Sequence, residues 1–415
     1  MPLSSRLTRR GFLALLGSGA AVALAACAGV LSPSPGGSAS AVPTPSRAPS
    51  PSPEPTMQPT PRPSLRARIA QMLLVGFRGT TPAEAAAVLA DIRERSLGGV
   101  VLFSTDQPTG SAVRNIVSAA QLTALTAALQ AAAADAEARL PLMVSVDEEG
   151  GRVARLGPDH GFPATESAAD LGARGDPAYT RRAGAAIGQT LRSVGINLDL
   201  APVVDVNVNL DNPIIGALDR SFSGDPDVVA AQAEAFVAGC HEAGVLTTLK
   251  HFPGHGSSTG DTHLGVVDVT DTWQREVELA PFARLIADGS ADAILTAHVF
   301  NRTLDPDHPA TLSEATIDGL LRGTLGWDGV VISDDMQMGA IREAYGYEEA
   351  IQLAITAGVD VLTIAQQQVF EDGIVGRTID LIEAMVADGR LSEERIDRSW
   401  ERIREFKARL ATTAG

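Results

Sequence analysis

The chain has 415 residues, 45% of them hydrophobic and 4% aromatic, with 50 acidic against 33 basic residues. That length admits two domains or one large barrel, and two cysteines exclude a disulfide-stapled scaffold. Setting aside residues 1–63, with their five arginines and one glutamate, leaves a net charge of about −21, which argues against nucleic acid as a partner.

Taken in order, the chain opens with Arg9-Arg10 ahead of an apolar stretch at 11–26, the pattern of a twin-arginine export signal. Leu24-Ala25-Ala26-Cys27 closes it, small residues before a single cysteine, which resembles a lipoprotein cleavage site. Residues 1–26 are therefore read as a signal peptide and Cys27 as the lipidated first residue of the mature chain. A transmembrane anchor is the competing reading, but the apolar run is short for a span. Either way the folded part is expected outside the cytoplasm, tethered to the cell membrane. Residues 31–63 hold eleven prolines among small and polar residues, a composition that cannot bury a core, so 27–63 is read as a spacer. Cys240 then has no intramolecular partner, and stability must come from the core.

From residue 64 to 415, short apolar runs alternate with helical patterns. Strands are expected at 72–75, 100–103, 142–146, 198–206, 245–249, 293–296, 329–332 and 359–364. Helical periodicity marks 82–95, 113–139, 179–194, 227–243, 273–287, 349–357, 371–388 and 393–410. Eight strands alternating with helices describe an α/β fold, a single (β/α)₈ barrel, better than a doubly wound sheet, and no glycine-rich dinucleotide loop follows the first strand.

The polar residues after these runs carry the functional signal. Asp147 ends the third, Asp205 the fourth, Lys250 and His251 the fifth, His298 the sixth, and Asp334 with Asp335 the seventh. In a barrel such positions converge on one mouth. The densest stretch is Lys250-His251-Phe252-Pro253-Gly254-His255-Gly256, continuing to Asp261-Thr262-His263, with three of the seven histidines. A zinc site from His251, His255 and His263 is an alternative, but no Cys or Glu lies among them and no helix sets their spacing.

Five blocks stand in consistent order: Asp147 to Leu156 (DEEGGRVARL), Gly195 to Val206 (GINLDLAPVVDV), Arg220-Ser221-Phe222, Lys250 to His263, and Ser333-Asp334-Asp335-Met336. Together they resemble the glycoside hydrolase family 3 enzymes, in their single-domain β-N-acetylglucosaminidase branch. The resemblance implies a retaining hydrolase of terminal β-linked N-acetylglucosamine, without cofactor or metal and acting as a monomer. It implies Asp334 as nucleophile and His263 as acid/base, with Asp261 orienting its ring. The glycine-flanked approach from Gly256 to Gly260 suggests a mobile loop that closes on substrate. It further implies Asp147, Arg155, Arg220, Lys250 and His251 as sugar-binding residues. Asp335 is expected to cap the following helix, Arg152 to be an ordinary surface residue and His298 a pocket wall. Glu148 stands where the family commonly has glutamine, and residues 215–220 run slightly longer than its pattern.

With the export signal and tether, the expected substrate is a peptidoglycan fragment. A phosphorylase using phosphate in place of water and a family 3 β-glucosidase are alternative enzymes on the same scaffold. A lipid-tethered sugar-binding protein without catalysis is an alternative of another class, and it has no need of Asp334 with the dyad.

Overall fold

A computed structural model describes residues 62–412. Arg9-Arg10, Cys27 and nearly all of the proline-rich stretch lie outside the described residues.

Among the described residues the main sheet has eight strands: β1 (Leu73–Gly76), β2 (Gly99–Val101), β3 (Met143–Val146), β4 (Leu198–Asp199), β5 (Leu246–Phe252), β6 (Ala293–Thr296), β7 (Val330–Ile332) and β8 (Leu362–Ile364). From β1 to β7 each strand pairs in parallel with the next in sequence, and β1 pairs with β8. The β7 to β8 side is held by an Ile332–Val361 bridge and by the Val361 N–H donating to Val331 O at 3.0 Å. The expected (β/α)₈ barrel is therefore the observed fold. Its strands are buried on both faces, which explains their continuous apolar runs.

The departures from expectation have local causes. The fourth run is a ladder only at Leu198–Asp199, because Pro202 has no N–H to donate; beyond it the chain still leans on β5 through Val204 N–H to Lys250 O at 2.8 Å. The helix expected at 273–287 is two, Arg275–Glu278 and Ala280–Ala287, the second with Pro281 in its first turn, where a missing N–H costs nothing. The crossover from β6 to β7 holds a π-helix, Ala315–Thr324, that its glycines and threonines do not announce.

The floor of the barrel, at the strand starts, is closed by the last helix, Glu393–Thr412. Lys407, fully buried, donates to Gln71 Oε1 at 2.7 Å and Gly98 O at 2.6 Å, just before β1 and β2. Ser399 and Arg322 bond Asp360 before β8 at 2.7 and 2.8 Å, Arg402 bonds Asp328 before β7 at 2.6 Å, and Arg409 pairs with Asp292 before β6. Among the described residues no carboxylate lies beside Lys407, and burial pulls its ammonium down to about 7. These contacts occupy the strand starts and leave the opposite end open for a site.

Candidate active site

The open end holds a cavity of about 640 Å³, and all eight residues singled out from the sequence as catalytic or sugar-binding line it. Consecutive strand residues ordinarily face opposite ways, yet Lys250 and His251 both reach this cavity. A bulge in β5 permits it: Lys250 pairs with Leu295 and Phe252 with Thr296, leaving His251 as the extra residue.

The cavity wall is an ion network. Lys250 Nζ lies 2.7 Å from both Asp147 Oδ1 and Glu149 Oε1, and Arg220 grips Glu149 through Nε and Nη2 at 2.7 Å each. Burial opposes charge on Glu149, but Arg220 and Lys250 outweigh it and hold the carboxyl well below the usual range. Burial likewise opposes ionisation of Asp147, and Lys250 and Arg155 outweigh it; the same carboxylates keep Lys250 an ammonium. Arg155 stands further off, Nη2 lying 3.8 Å from Asp147 Oδ2, and its buried Nε has no hydrogen-bond partner among the described residues. The wall thus presents fixed donors and acceptors to a polar ligand rather than an apolar slot.

Behind it, Asp205 organises two histidines. Its carboxylate is 2.7 Å from His251 Nδ1 and accepts from the His255 N–H at 2.8 Å. His255 turns its ring to Ser258 Oγ and Thr262 Oγ1, and burial, reinforced by His251, lowers it to about 4, so it is neutral at pH 7. His251, His255 and His263 thus have different partners, and no group of three or more potential metal ligands comes together among the described residues.

Asp334 leaves β7 partly exposed to the cavity. Burial works against its charge, but His298, His251 and His263, with the Asp335 N–H at 2.8 Å, hold its carboxyl below the ordinary value. Across the cavity opening, His263 is half exposed, with Nδ1 2.7 Å from Asp261 Oδ1 and its own N–H bonded to the same oxygen at 2.8 Å. One carboxylate and one Asp-oriented imidazole therefore face a shared space from separate loops. Such a pair can supply a nucleophile and a proton carrier.

Two roles need correction and a third is extended. Asp335 does not cap a helix: its Oδ1 accepts from Gln337 N at 3.1 Å and from Ala365 N at 3.0 Å, while the next helix, Gly339–Arg342, starts from Met338 without a side-chain cap. Burial pushes its carboxyl up to about 6. His298 does not face the cavity but lies buried behind it, bonding Thr311 Oγ1 at 2.8 Å and Asp335 O at 3.0 Å. Arg152 is exposed as expected, and it also lines the cavity rim, 3.1 Å from Asp219.

Asp205 was noted in the sequence only as the end of the fourth run, without a role, and Glu149 was not singled out, nor were Gln107 and Gln367, whose backbone N–H and side-chain carbonyl join across the rim at 3.0 Å. For Glu149 the signal was parity: two residues beyond Asp147, it falls on the same face, and Glu148 between them turns away. Glu148 Oε2 instead accepts the N–H groups of Arg155 and Leu156 at 2.7 and 2.9 Å, and its Oε1 is buried without a partner among the described residues.

Burial pushes the Glu148 carboxyl up to about 7. A carboxyl raised in the fold binds its proton where the unfolded chain has lost it, so stability falls as pH rises from about 4.5 through 7. Glu148→Gln keeps the acceptor and removes this loss. It should match the wild type near pH 4 and exceed it by on the order of 3 kcal/mol at pH 8, read from urea unfolding at both values. An equal effect at both pH values would contradict the assignment.

Comparison with known proteins agrees with fold and site. Residues 64–406 match the Glycosyl hydrolase family 3 N terminal domain. A Beta-hexosaminidase of Xylella fastidiosa (strain M23) is 40% identical over 316 residues, 73% of this chain and 86% of that one. Beta-hexosaminidase A of Pseudoalteromonas piscicida is 34% identical over 77% of this chain, which spans 54% of that longer relative. The glycoside hydrolase family 3 beta-N-acetylglucosaminidase structure from Paenibacillus sp. str. FPU-7 superposes with a TM-score of 0.76 at 39% identity, covering 85% of this chain and 64% of that one. The Beta-N-acetylhexosaminidase from Beutenbergia cavernae DSM 12333 gives 0.74 at 31% identity, covering 83% and 98%. A barrel matched along nearly all its described length, by relatives up to 40% identical, settles the lineage: the chain belongs to glycosyl hydrolase family 3.

Proposed function

We propose that this glycoside hydrolase is a retaining exo-β-N-acetylglucosaminidase that removes terminal β-linked N-acetylglucosamine from peptidoglycan fragments. The observation that carries the reading is the pairing of an ionised Asp334 with the Asp261-oriented His263 around one polar cavity. The names of the similar proteins supply the sugar.

In the first step Asp334 attacks the anomeric carbon while protonated His263 gives its proton to the leaving oxygen, so the C–O bond to the aglycone breaks as the glycosyl ester forms. In the second step neutral His263 takes a proton from water, which displaces Asp334 and restores the β-configuration. Asp147, Glu149, Arg220 and Lys250 orient the sugar hydroxyls, and because they are bound to one another before substrate arrives, little reorganisation is needed. The wall-fragment part of the reading rests on Arg9-Arg10 and Cys27 in the sequence.

Proton NMR early in turnover should show the β-anomer of N-acetylglucosamine appearing first; the α-anomer first would overturn double displacement. In the same assay an N-acetylglucosaminyl–N-acetylmuramic acid disaccharide should exceed chitobiose in kcat/KM by roughly tenfold. Equal or reversed values would remove peptidoglycan as the source and leave the mechanism standing.

A further inference from the structure

The loop bearing Asp261 and His263 is held differently at its two ends. At its start, Trp273 Nε1 donates to Pro253 O at 3.1 Å, and Asn212 Nδ2 donates to His255 O at 2.8 Å. Wholly buried Glu278 accepts the Ser257 N–H at 3.3 Å. At its far end side chains give little hold: His263 is half exposed and Leu264 beyond it is 78% exposed. There the backbone lies against the segment that follows Asp334. The Ala340 N–H donates to Thr262 O at 3.2 Å, and the Gly339 N–H donates to His263 O at 3.3 Å.

Gly339 is what allows this approach. A Cβ at that position would stand 2.8 Å from His263 O, 3.0 Å from Leu264 C and 3.1 Å from Gly265 N, all backbone atoms with no rotamer to yield. The glycine does not serve its own backbone. It lacks a positive φ and opens the short helix Gly339–Arg342, where alanine is the better helix former. Its bareness is explained by what lies on it.

We propose that Gly339 is a positioning residue for His263: its missing side chain lets the acid/base loop dock on the backbone that continues from Asp334, so one stretch of chain sets both reacting groups. The proposal rests on the reading of His263 as acid/base. It names a residue that touches neither substrate nor the reacting atoms and acts through the distance between two loops. A Cβ at 339 would move the imidazole away from the glycosidic oxygen and leave the carboxylate where it is.

The test is Gly339→Ala beside the wild type, on β-N-acetylglucosaminides of a strongly acidic and a weakly acidic alcohol, with thermal melting of each protein. The expected result is unchanged melting, little loss on the activated glycoside and a roughly ten- to hundredfold loss of kcat/KM on the other, since a displacement near 1 Å is enough for that. Wild-type rates on both, or equal losses on both, would overturn the proposal. Amide hydrogen exchange of the unaltered protein gives a second reading: slowed exchange at Gly339 and Ala340 supports the docked seam, and exchange at the rate of an open loop refutes it. A wild-type protein inactive on both glycosides sinks the catalytic reading instead, and the exchange rates still decide whether the seam exists.

Discussion

Asp334→Asn is expected to lower turnover by about 10⁴-fold or more on every β-N-acetylglucosaminide, whatever the leaving group. The amide is nearly the same size, so the β7 terminus and the Asp335 N–H contact survive. What disappears is a negative charge that the fold maintains against burial through His298, His251 and His263. Without it no glycosyl ester forms, and the oxocarbenium-like transition state faces a neutral dipole. Steady-state rates with a substrate of highly acidic phenol provide the check, alongside circular dichroism to confirm folding. Residual activity within about a hundredfold of wild type would mean that the nucleophile is elsewhere or that the sugar's own acetamide attacks.

His263→Ala should divide substrates that Asp334→Asn treats alike. A disaccharide must leave as a sugar alkoxide unless protonated, so its loss should be roughly 10²–10⁴-fold. A strongly acidic phenol leaves without help, so formation of the glycosyl-enzyme survives and its hydrolysis becomes limiting. Burst kinetics should then appear, and azide, which needs no deprotonation, should rescue turnover as the β-glycosyl azide. Equal losses on both substrates with no effect of azide would make His263 a binding residue. Product analysis in phosphate buffer runs in the same experiment: a glycosyl phosphate from the unaltered protein would replace hydrolysis by phosphorolysis.

Much of the fold was legible because parallel barrel strands are buried on both faces and read as unbroken apolar runs at regular intervals. The polar residue ending each run was equally visible, and the barrel turns that one-dimensional pattern into a shared mouth. What sequence did not reveal was which way each residue faces. The bulge that brings Lys250 and His251 to one side has no compositional mark, since it arises from pairing with β6. Glu149 was hidden inside an acidic pair whose members turn opposite ways. Asp335 departs from the expected cap because here the chain takes another turn before the helix and the carboxylate reaches Ala365 at the end of the adjacent strand β8. The broken helix follows the same rule: a single residue, Pro281, decides a boundary that periodicity blurs.

The closed floor has a consequence for biosynthesis. Gln71 and Gly98 are made early, and the lysine that satisfies both arrives 336 and 309 residues later. At ribosomal speeds of about 5–20 residues per second, that is an interval of roughly 20–70 seconds in which the strand starts lie open to water and to other chains. The walls of the mouth come from the same eight strands, so they too lack a fixed geometry until the final helix docks. Newly made protein should therefore acquire activity and its fully enclosed lysine together, once the helix Glu393–Thr412 has docked.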